Sequence, residues 1–217
     1  MRIVSRQHPT PLVHRRLYYH WSGWPKSWLA IPLNVLQALA LRASVQTCHN
    51  GIRISHLTMS DPAVFVRATV SCLDLIRQSS PLHFRRLQRH VAYIADCAIS
   101  GFAMYVSHSH AVKIDFAKYW RPEHEDLSLR LYAMTLVHEA THGYLCARFI
   151  PYTKRTRSRV ERICGTEANR FLRHLGSEWS QLHRTFSEDG WQIAWHASVW
   201  EKARLQLERS RHEFTKG

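Results

Sequence analysis

Apolar residues recur every three or four positions along most of the chain, and this period predicts a mainly helical protein. Two helix starts are marked by a polar residue followed by proline, at Asp61 before Pro62 and at Ser80 before Pro81. Gly176 indicates a bend or break in a later helix. The predicted helices span residues 33–45, 62–78, 126–149, 158–183 and 191–214, and a further helix begins at residue 81.

The period changes to two in the segments 102–106 and 112–116, where apolar and polar residues alternate. Alternation of this kind predicts short strands with one buried face, and the polar stretch between them predicts a hairpin. His108 and His110 lie in that stretch, so a second metal site is an alternative to a solvated turn there. We therefore expect an α+β protein that is predominantly helical, with a small antiparallel sheet or hairpin.

Charge is distributed unevenly along the chain. The formal net charge is +14, and residues 1–60 contain no Asp or Glu. We divide the chain into a basic N-terminal tail with an amphipathic helix, residues 1–60, and a second domain, residues 61–217. The basic region can serve an anionic partner, nucleic acid or a membrane surface, can be a targeting segment, or can simply carry a helix packed on the domain. Its aromatic residues are Tyr18, Tyr19, Trp21, Trp24 and Trp28.

The cysteines and the hydropathy limit where the protein works. The five cysteines are odd in number and include no Cys-x-x-Cys pair, which favours a reducing compartment over a disulfide framework. We expect no membrane-spanning helix, because no apolar run reaches about eighteen residues. We also expect no secretory signal, because the first apolar stretch starts late and lacks a cleavage pattern. A cytoplasmic protein is the main expectation, with peripheral membrane association as the alternative.

The strongest chemical signal is the motif His138-Glu139-x-x-His142. On a helix, residues four apart lie on one face, so the two imidazoles can hold one zinc ion. Glu139 is set to the side, where a carboxylate can polarise a water molecule. The chain has 16 histidines, so the motif alone needs support from its surroundings.

The surroundings resemble the active-site helix of the zincin metallopeptidases, whose longer pattern requires uncharged flanking residues and no proline. The resemblance implies a zinc-dependent metallopeptidase with a minimal zincin-like domain and a peptide or protein as substrate. It also implies that the segment 112–116 is an edge strand that pairs with an extended peptide. The flanking residues that comply are Thr135, Leu136, Ala140, Thr141, Gly143 and Tyr144.

A zinc site of this kind needs a third protein ligand. Glu161 follows His142 by nineteen residues, a spacing similar to that of the gluzincins, which implies Glu161 as the ligand. Glu167 is the rival, in a stretch that resembles Glu-Ala-Asn-x-Phe of short gluzincin-like peptidases, although their ligand position corresponds to Gly165 here. His174 is a third alternative. The region around Glu161 and Glu167 also resembles small, uncharacterised bacterial metallopeptidase-like proteins.

The resemblance implies that Glu139 acts as general base and then general acid in peptide hydrolysis with a metal-activated water. Tyr152, His183 and His196 are alternative donors to the oxyanion. Cys146 and Cys164 each follow a predicted ligand by about one turn, either as packed thiols or as thiolate ligands. Two other functions stay open: a metal-binding pseudoenzyme or regulator, and a nucleic-acid-associated protein with a structural metal site.

Overall fold

A computed structural model describes residues 30–58, 61–99, 101–177 and 179. These residues form an α+β fold that is predominantly helical, as expected. None of the described helices combines the length and the apolar character that a membrane crossing requires. The helices are α1 Ala30–Ala43, α2 Pro62–Ser79, α3 Pro81–His90, α4 Phe116–Tyr119, α5 Glu125–Ala147 and α6 Arg157–Leu175. The strands are β1 Val45–His49, β2 Ile52–His56, β3 Tyr93–Asp96, β4 Ala103–Val106 and β5 Ala111–Ile114.

The sheet is larger than the predicted hairpin. The antiparallel pairing of β4 with β5 confirms the hairpin, but the sheet has five strands in the order β1-β2-β3-β5-β4. The pairs β2–β3 and β3–β5 are parallel, so the sheet is mixed. The expectation of a purely antiparallel sheet is therefore wrong, because helices α2 and α3 carry the chain back to start β3 beside β2 in the same direction.

Three strands lie where no strand was predicted, for two different reasons. All four residues of β3 are buried, so the strand shows no alternation of apolar and polar positions. Strands β1 and β2 are joined by Asn50 and Gly51, both with positive φ, 52° and 85°. Asn-Gly between two strands is a strong hairpin signal that the sequence analysis missed. The sheet thus includes residues on the N-terminal side of position 61, where the domain division was predicted.

The predicted edge strand is an interior strand. Strand β5 lies between β3 and β4, with Val112 paired to Ile94 on one side and to Tyr105 on the other. The prediction of an edge strand at 112–116 is therefore wrong, because the second strand of the hairpin joins the parallel part of the sheet. Among the described residues, the outer strand on this side is β4.

Helices α2 and α3 begin where the sequence predicts. The Asp61 carboxylate accepts a hydrogen bond from the Ala63 backbone N–H at 2.8 Å, and Pro62 takes the first helical position. Such a cap contributes about 1 kcal/mol. Both helices bury apolar residues in the main core beside the sheet and α5. The buried residues of this face include Phe65, Leu73, Ile76, Phe84 and Leu87.

Helix α1 agrees in position with the helix predicted at 33–45. The apolar residues Leu33, Leu36, Ala40 and Leu41 predicted one buried face, and the structure agrees with that face less well. Leu41 is fully buried against Tyr93 and Ala111, whereas Leu36 is 61% exposed. The aromatic-rich stretch before α1 and the predicted helix 191–214 lie outside the described residues.

Helices α5 and α6 carry the predicted metal ligands. Every residue of α5 from Tyr132 to Thr141 is buried, because the helix contacts α2, α3, α6 and the sheet. A short loop with Pro151 reverses the chain into α6, which ends at Leu175. Gly176 has φ 132°, outside the helical region, which confirms the predicted break.

Two helical glycines provide a matched test of this packing. A Cβ at Gly143 would lie 2.9 Å from ring carbons of Tyr105 and 3.1 Å from the Cβ of His90, whereas a Cβ at Gly165 meets nothing within 4 Å. We expect Gly143→Ala to lower the free energy of unfolding by about 1–3 kcal/mol. Gly165→Ala should raise it by up to about 1 kcal/mol, from helix propensity alone.

Urea denaturation of the metal-free protein in the presence of a chelator measures both changes. Equal effects of the two substitutions would contradict the close contact between α5 and the β4 and α3 side chains.

Candidate metal centre

The two histidines of the motif face each other on α5. Their ring centroids are 5.1 Å apart, and their Nε2 atoms are 3.3 Å apart. Both side chains are mostly buried, with exposed fractions of 11% for His138 and 15% for His142. The Nδ1 atom of His138 is buried and has no hydrogen-bond partner among the described residues. The predicted helical spacing therefore places both Nε2 atoms at one point.

Glu161 of α6 reaches across to both imidazoles. Its Oε2 lies 3.2 Å from Nε2 of His138, and its Oε1 lies 3.7 Å from Nε2 of His142. Burial alone would raise the pKa of Glu161, but hydrogen bonds with the two rings hold that pKa well below its usual range. The carboxylate is thus charged and aimed at the point where the two imidazoles meet.

Glu167 lies elsewhere, in a network that joins three helices. Its Oε2 accepts a hydrogen bond from Nη1 of Arg86 at 2.9 Å, and the same Nη1 donates to Oγ1 of Thr141 at 3.1 Å. Oε2 of Glu167 also lies 3.4 Å from Nε2 of His83. Arg86 and His83 belong to α3, and Thr141 to α5, so Glu167 fastens α6 to both helices.

His174 does not join the motif histidines either. It lies beside His83 with ring centroids 6.2 Å apart, and its Nδ1 contacts the backbone O of Arg170 at 2.8 Å. Of the three alternative third ligands, the structure brings Glu161 to the two imidazoles.

Cys164 is part of the same donor cluster. In the described part of the chain, one group of potential metal donors has its ligand atoms all within 4.8 Å of one another: His138, His142 and Cys164. Such a group could hold a metal ion. Burial raises the pKa of the Cys164 thiol above its usual value, although the interaction with His142 acts in the opposite direction. Burial would lower the pKa of His142, but the nearby Cys164 and Glu161 raise it well above its usual value.

Tyr152 is the one predicted oxyanion donor that the structure describes at the site. Its hydroxyl donates a short hydrogen bond to Oε1 of Glu161, and its ring packs edge-on against His142 with centroids 5.3 Å apart. Burial and the charge of Glu161 raise the pKa of Tyr152, so its hydroxyl keeps its proton. His183 and His196 lie outside the described residues.

Glu139 is buried on α5 beside His138, with 7% of its surface exposed. Its negative charge contributes to the raised pKa of His142 and of Tyr152, so it lies near both groups. A second carboxylate thus stands next to the donor cluster. The hairpin histidines form no comparable group: His108 contacts Gln37, and His110 contacts Tyr105.

No family model, curated protein or solved structure matches the chain. The centre comprises two imidazoles that face each other, a thiol whose sulfur lies within 4.8 Å of both imidazole ligand atoms, and the Glu161 carboxylate, 3.2 and 3.7 Å from the two imidazoles. The phenol of Tyr152 donates to that carboxylate.

The network around Glu167 predicts a specific loss of stability in acid. Burial, then the positive charge of Arg86, lowers the pKa of His83 from 6.5 to about 4, against the attraction of Glu167. The ring of His174 also faces His83 from α6. Because the unfolded state takes up the proton first, the fold loses stability as the pH falls from the ordinary pKa toward that lowered value. The loss by about pH 4.5 is about 2–3 kcal/mol.

Denaturant unfolding of the metal-free protein at about pH 7 and about pH 4.5 measures this loss. His83→Gln should reduce the difference between the two pH values by that amount. His124→Gln, at an exposed position, should leave it unchanged. A pH dependence that is identical in wild type and His83→Gln would refute the prediction.

Proposed function

We propose that the protein is a zinc-dependent hydrolase that cleaves peptide bonds, with His138, His142 and Glu161 as the zinc ligands. The observation that carries the proposal is the convergence of these three side chains on one point. The Nε2 atoms lie 3.3 Å apart, and the carboxylate oxygens lie 3.2 and 3.7 Å from them.

These separations fit a tetrahedral zinc site. Ligand atoms at about 2.0–2.1 Å from a tetrahedral zinc ion lie about 3.3–3.4 Å from each other. The separation of the two Nε2 atoms, 3.3 Å, and that between Nε2 of His138 and Oε2 of Glu161, 3.2 Å, are close to that value, while Oε1 of Glu161 lies 3.7 Å from Nε2 of His142. Two imidazoles and one carboxylate also match the donor types that zinc prefers, and zinc would displace the proton that the raised pKa of His142 favours.

Bound zinc would supply Lewis-acid activation of water near neutral pH. The chain's own groups would do the rest. Glu139, beside the ligands, would accept the proton of the attacking water and deliver it to the leaving amine. Tyr152, 39% exposed, has a protonated hydroxyl that would donate to the oxygen that gains negative charge once it turns from Glu161.

The strand next to the site supports a peptide as substrate. Strand β4 has a partner on one side, β5, among the described residues, and α5 packs against it. Tyr105 of β4 approaches α5 at Gly143, directly after the ligand His142. An extended peptide could therefore add to the edge of β4 that has no strand partner in the described part of the chain, and present its backbone to the site.

Truncation of each glutamate of α6 tests the ligand set. We expect about one zinc ion per purified wild-type chain. The affinity for zinc should be weaker in Glu161→Ala by about tenfold or more. Glu167→Ala is the matched control, because it removes the bond to Arg86 but none of the proposed ligands. Metal analysis and chelator competition measure the affinities. Zinc lost from Glu167→Ala and kept by Glu161→Ala would reverse the assignment.

Substitution of the proposed base separates binding from chemistry. Glu139→Gln should keep its zinc and cleave a library of short unstructured peptides about 10²–10⁴-fold more slowly than the wild type. Glu123→Gln, an exposed carboxylate outside the cluster, should cleave at the wild-type rate.

Mass spectrometry of the peptide products provides the measurement. Fully zinc-loaded protein that cleaves no peptide, both as wild type and as Cys164→Ala, which removes the nearby thiol, would contradict the hydrolase and favour a metal-binding regulator. Steeply salt-dependent DNA binding would favour the nucleic-acid alternative.

A further inference from the structure

The donor cluster contains more protein ligands than an open catalytic site requires. A catalytic zinc site holds three protein ligands and leaves one position for water, whereas a site with four protein ligands is closed. Here Cys164 joins the two imidazoles in a group whose ligand atoms lie within 4.8 Å of one another. Glu161 contacts the same imidazoles.

We propose that Cys164 is a fourth protein ligand of the metal, so that the resting site is closed and its thiolate must leave before water can enter. This inference rests on the proposed function and adds a means of regulation to that site. The position that water needs would then be controlled by a side chain of α6 itself.

Helix geometry brings the Glu161 carboxylate and the Cys164 thiol to the same face of α6. Glu161 and Cys164 are three residues apart on α6, so they lie on the face that packs against α5. A tetrahedral zinc ion with bonds of about 2.3 Å to sulfur and about 2.0–2.1 Å to nitrogen places these atoms about 3.6 Å apart. The ligand atoms of His138, His142 and Cys164 lie within 4.8 Å of one another, so each is within about 1.2 Å of the separation that shared zinc would require.

The burial of Cys164 restricts its other roles. The residue is 0% exposed and lies between the imidazoles and a small apolar cluster with Leu145 and Val160. Cys146 of α5 provides a contrast, because it lies one turn past His142 yet is absent from the donor group of the described residues. Cys72 is equally buried, but in the main core.

The metal alone is a direct probe of the thiolate. Cobalt(II) bound to a thiolate gives an intense charge-transfer absorption in the near ultraviolet, whereas imidazole and carboxylate ligands do not. We expect wild-type protein loaded with Co²⁺ to show this band, and Cys146→Ala to retain it. Cys164→Ala and Cys164→Ser should lose the band but keep the weaker visible bands of bound cobalt.

Two further measurements follow from a closed site. Zinc should bind Cys164→Ala more weakly than the wild type by more than roughly tenfold, since even a partner of a ligand contributes about that much. Peptide cleavage by the zinc-loaded variant should be faster than by the wild type, about tenfold, because one metal position becomes open to water.

The outcomes separate the two proposals. A wild type loaded with Co²⁺ but without the charge-transfer band would overturn the fourth ligand, whether or not the variants fold. A band that disappears in Cys164→Ala and in His138→Ala, with no peptide cleavage by any variant, would leave the fourth ligand standing and refute the hydrolase. Circular dichroism of each variant establishes that it is folded.

Discussion

Helix α5 is buried on all sides from Tyr132 to Thr141, and this constraint determines how its polar side chains are arranged. A polar group in such a place needs a partner from another element, because burial without one costs about 1–3 kcal/mol. The Tyr132 hydroxyl forms a hydrogen bond of 2.8 Å with the Thr69 hydroxyl of α2. The Thr141 hydroxyl accepts a hydrogen bond from Arg86 of α3. The imidazoles of the motif contact the carboxylate of Glu161 on α6. The surrounding elements are thus held where α5 requires polar contacts.

The two glutamates of α6 have partners on different sides of that helix. Glu161 and Glu167 are six residues apart, about 240° around the helix, so only one of them can face the histidines. Arg86 binds Glu167 on the side toward α3, at 2.9 Å with both side chains largely buried. With Glu167 on that side of α6, Glu161 and Cys164 lie on the side toward α5. Removal of one partner from such an ion pair is costly, because the other charge is left buried and unpaired.

The features that the sequence could predict are those with local causes. The start of α2 depends on Asp61 and Pro62 alone, and the β4–β5 hairpin depends on its own alternation of residues. The β1–β2 hairpin also has a local cause, the Asn50–Gly51 turn, and could have been predicted. Strand β3 could not, because a strand buried on both faces has no distinctive period.

The site divides in the same way. Spacing within one helix predicted that His138 and His142 share a face, whereas the distinction between Glu161 and Glu167 depends on partners from α5 and from α3, which are distant in the chain. The position of Cys164 relative to α5 depends on the same packing of helices, so sequence reasoning left its role open.

The proposed ligands come from two consecutive helices joined by a short loop, whereas the sheet joins segments that are distant in the chain, such as Arg53 beside Tyr93. Closing a loop between near residues removes little chain entropy, and each doubling of loop length adds only about 0.6 kcal/mol. A metal ion held by these ligands would therefore act as a local cross-link. It would fasten α6 to α5 through its coordination bonds, while the sheet and its packing against α2 and α3 would depend on apolar burial, on the backbone pairing of the strands and on polar contacts such as His49 with Asp74.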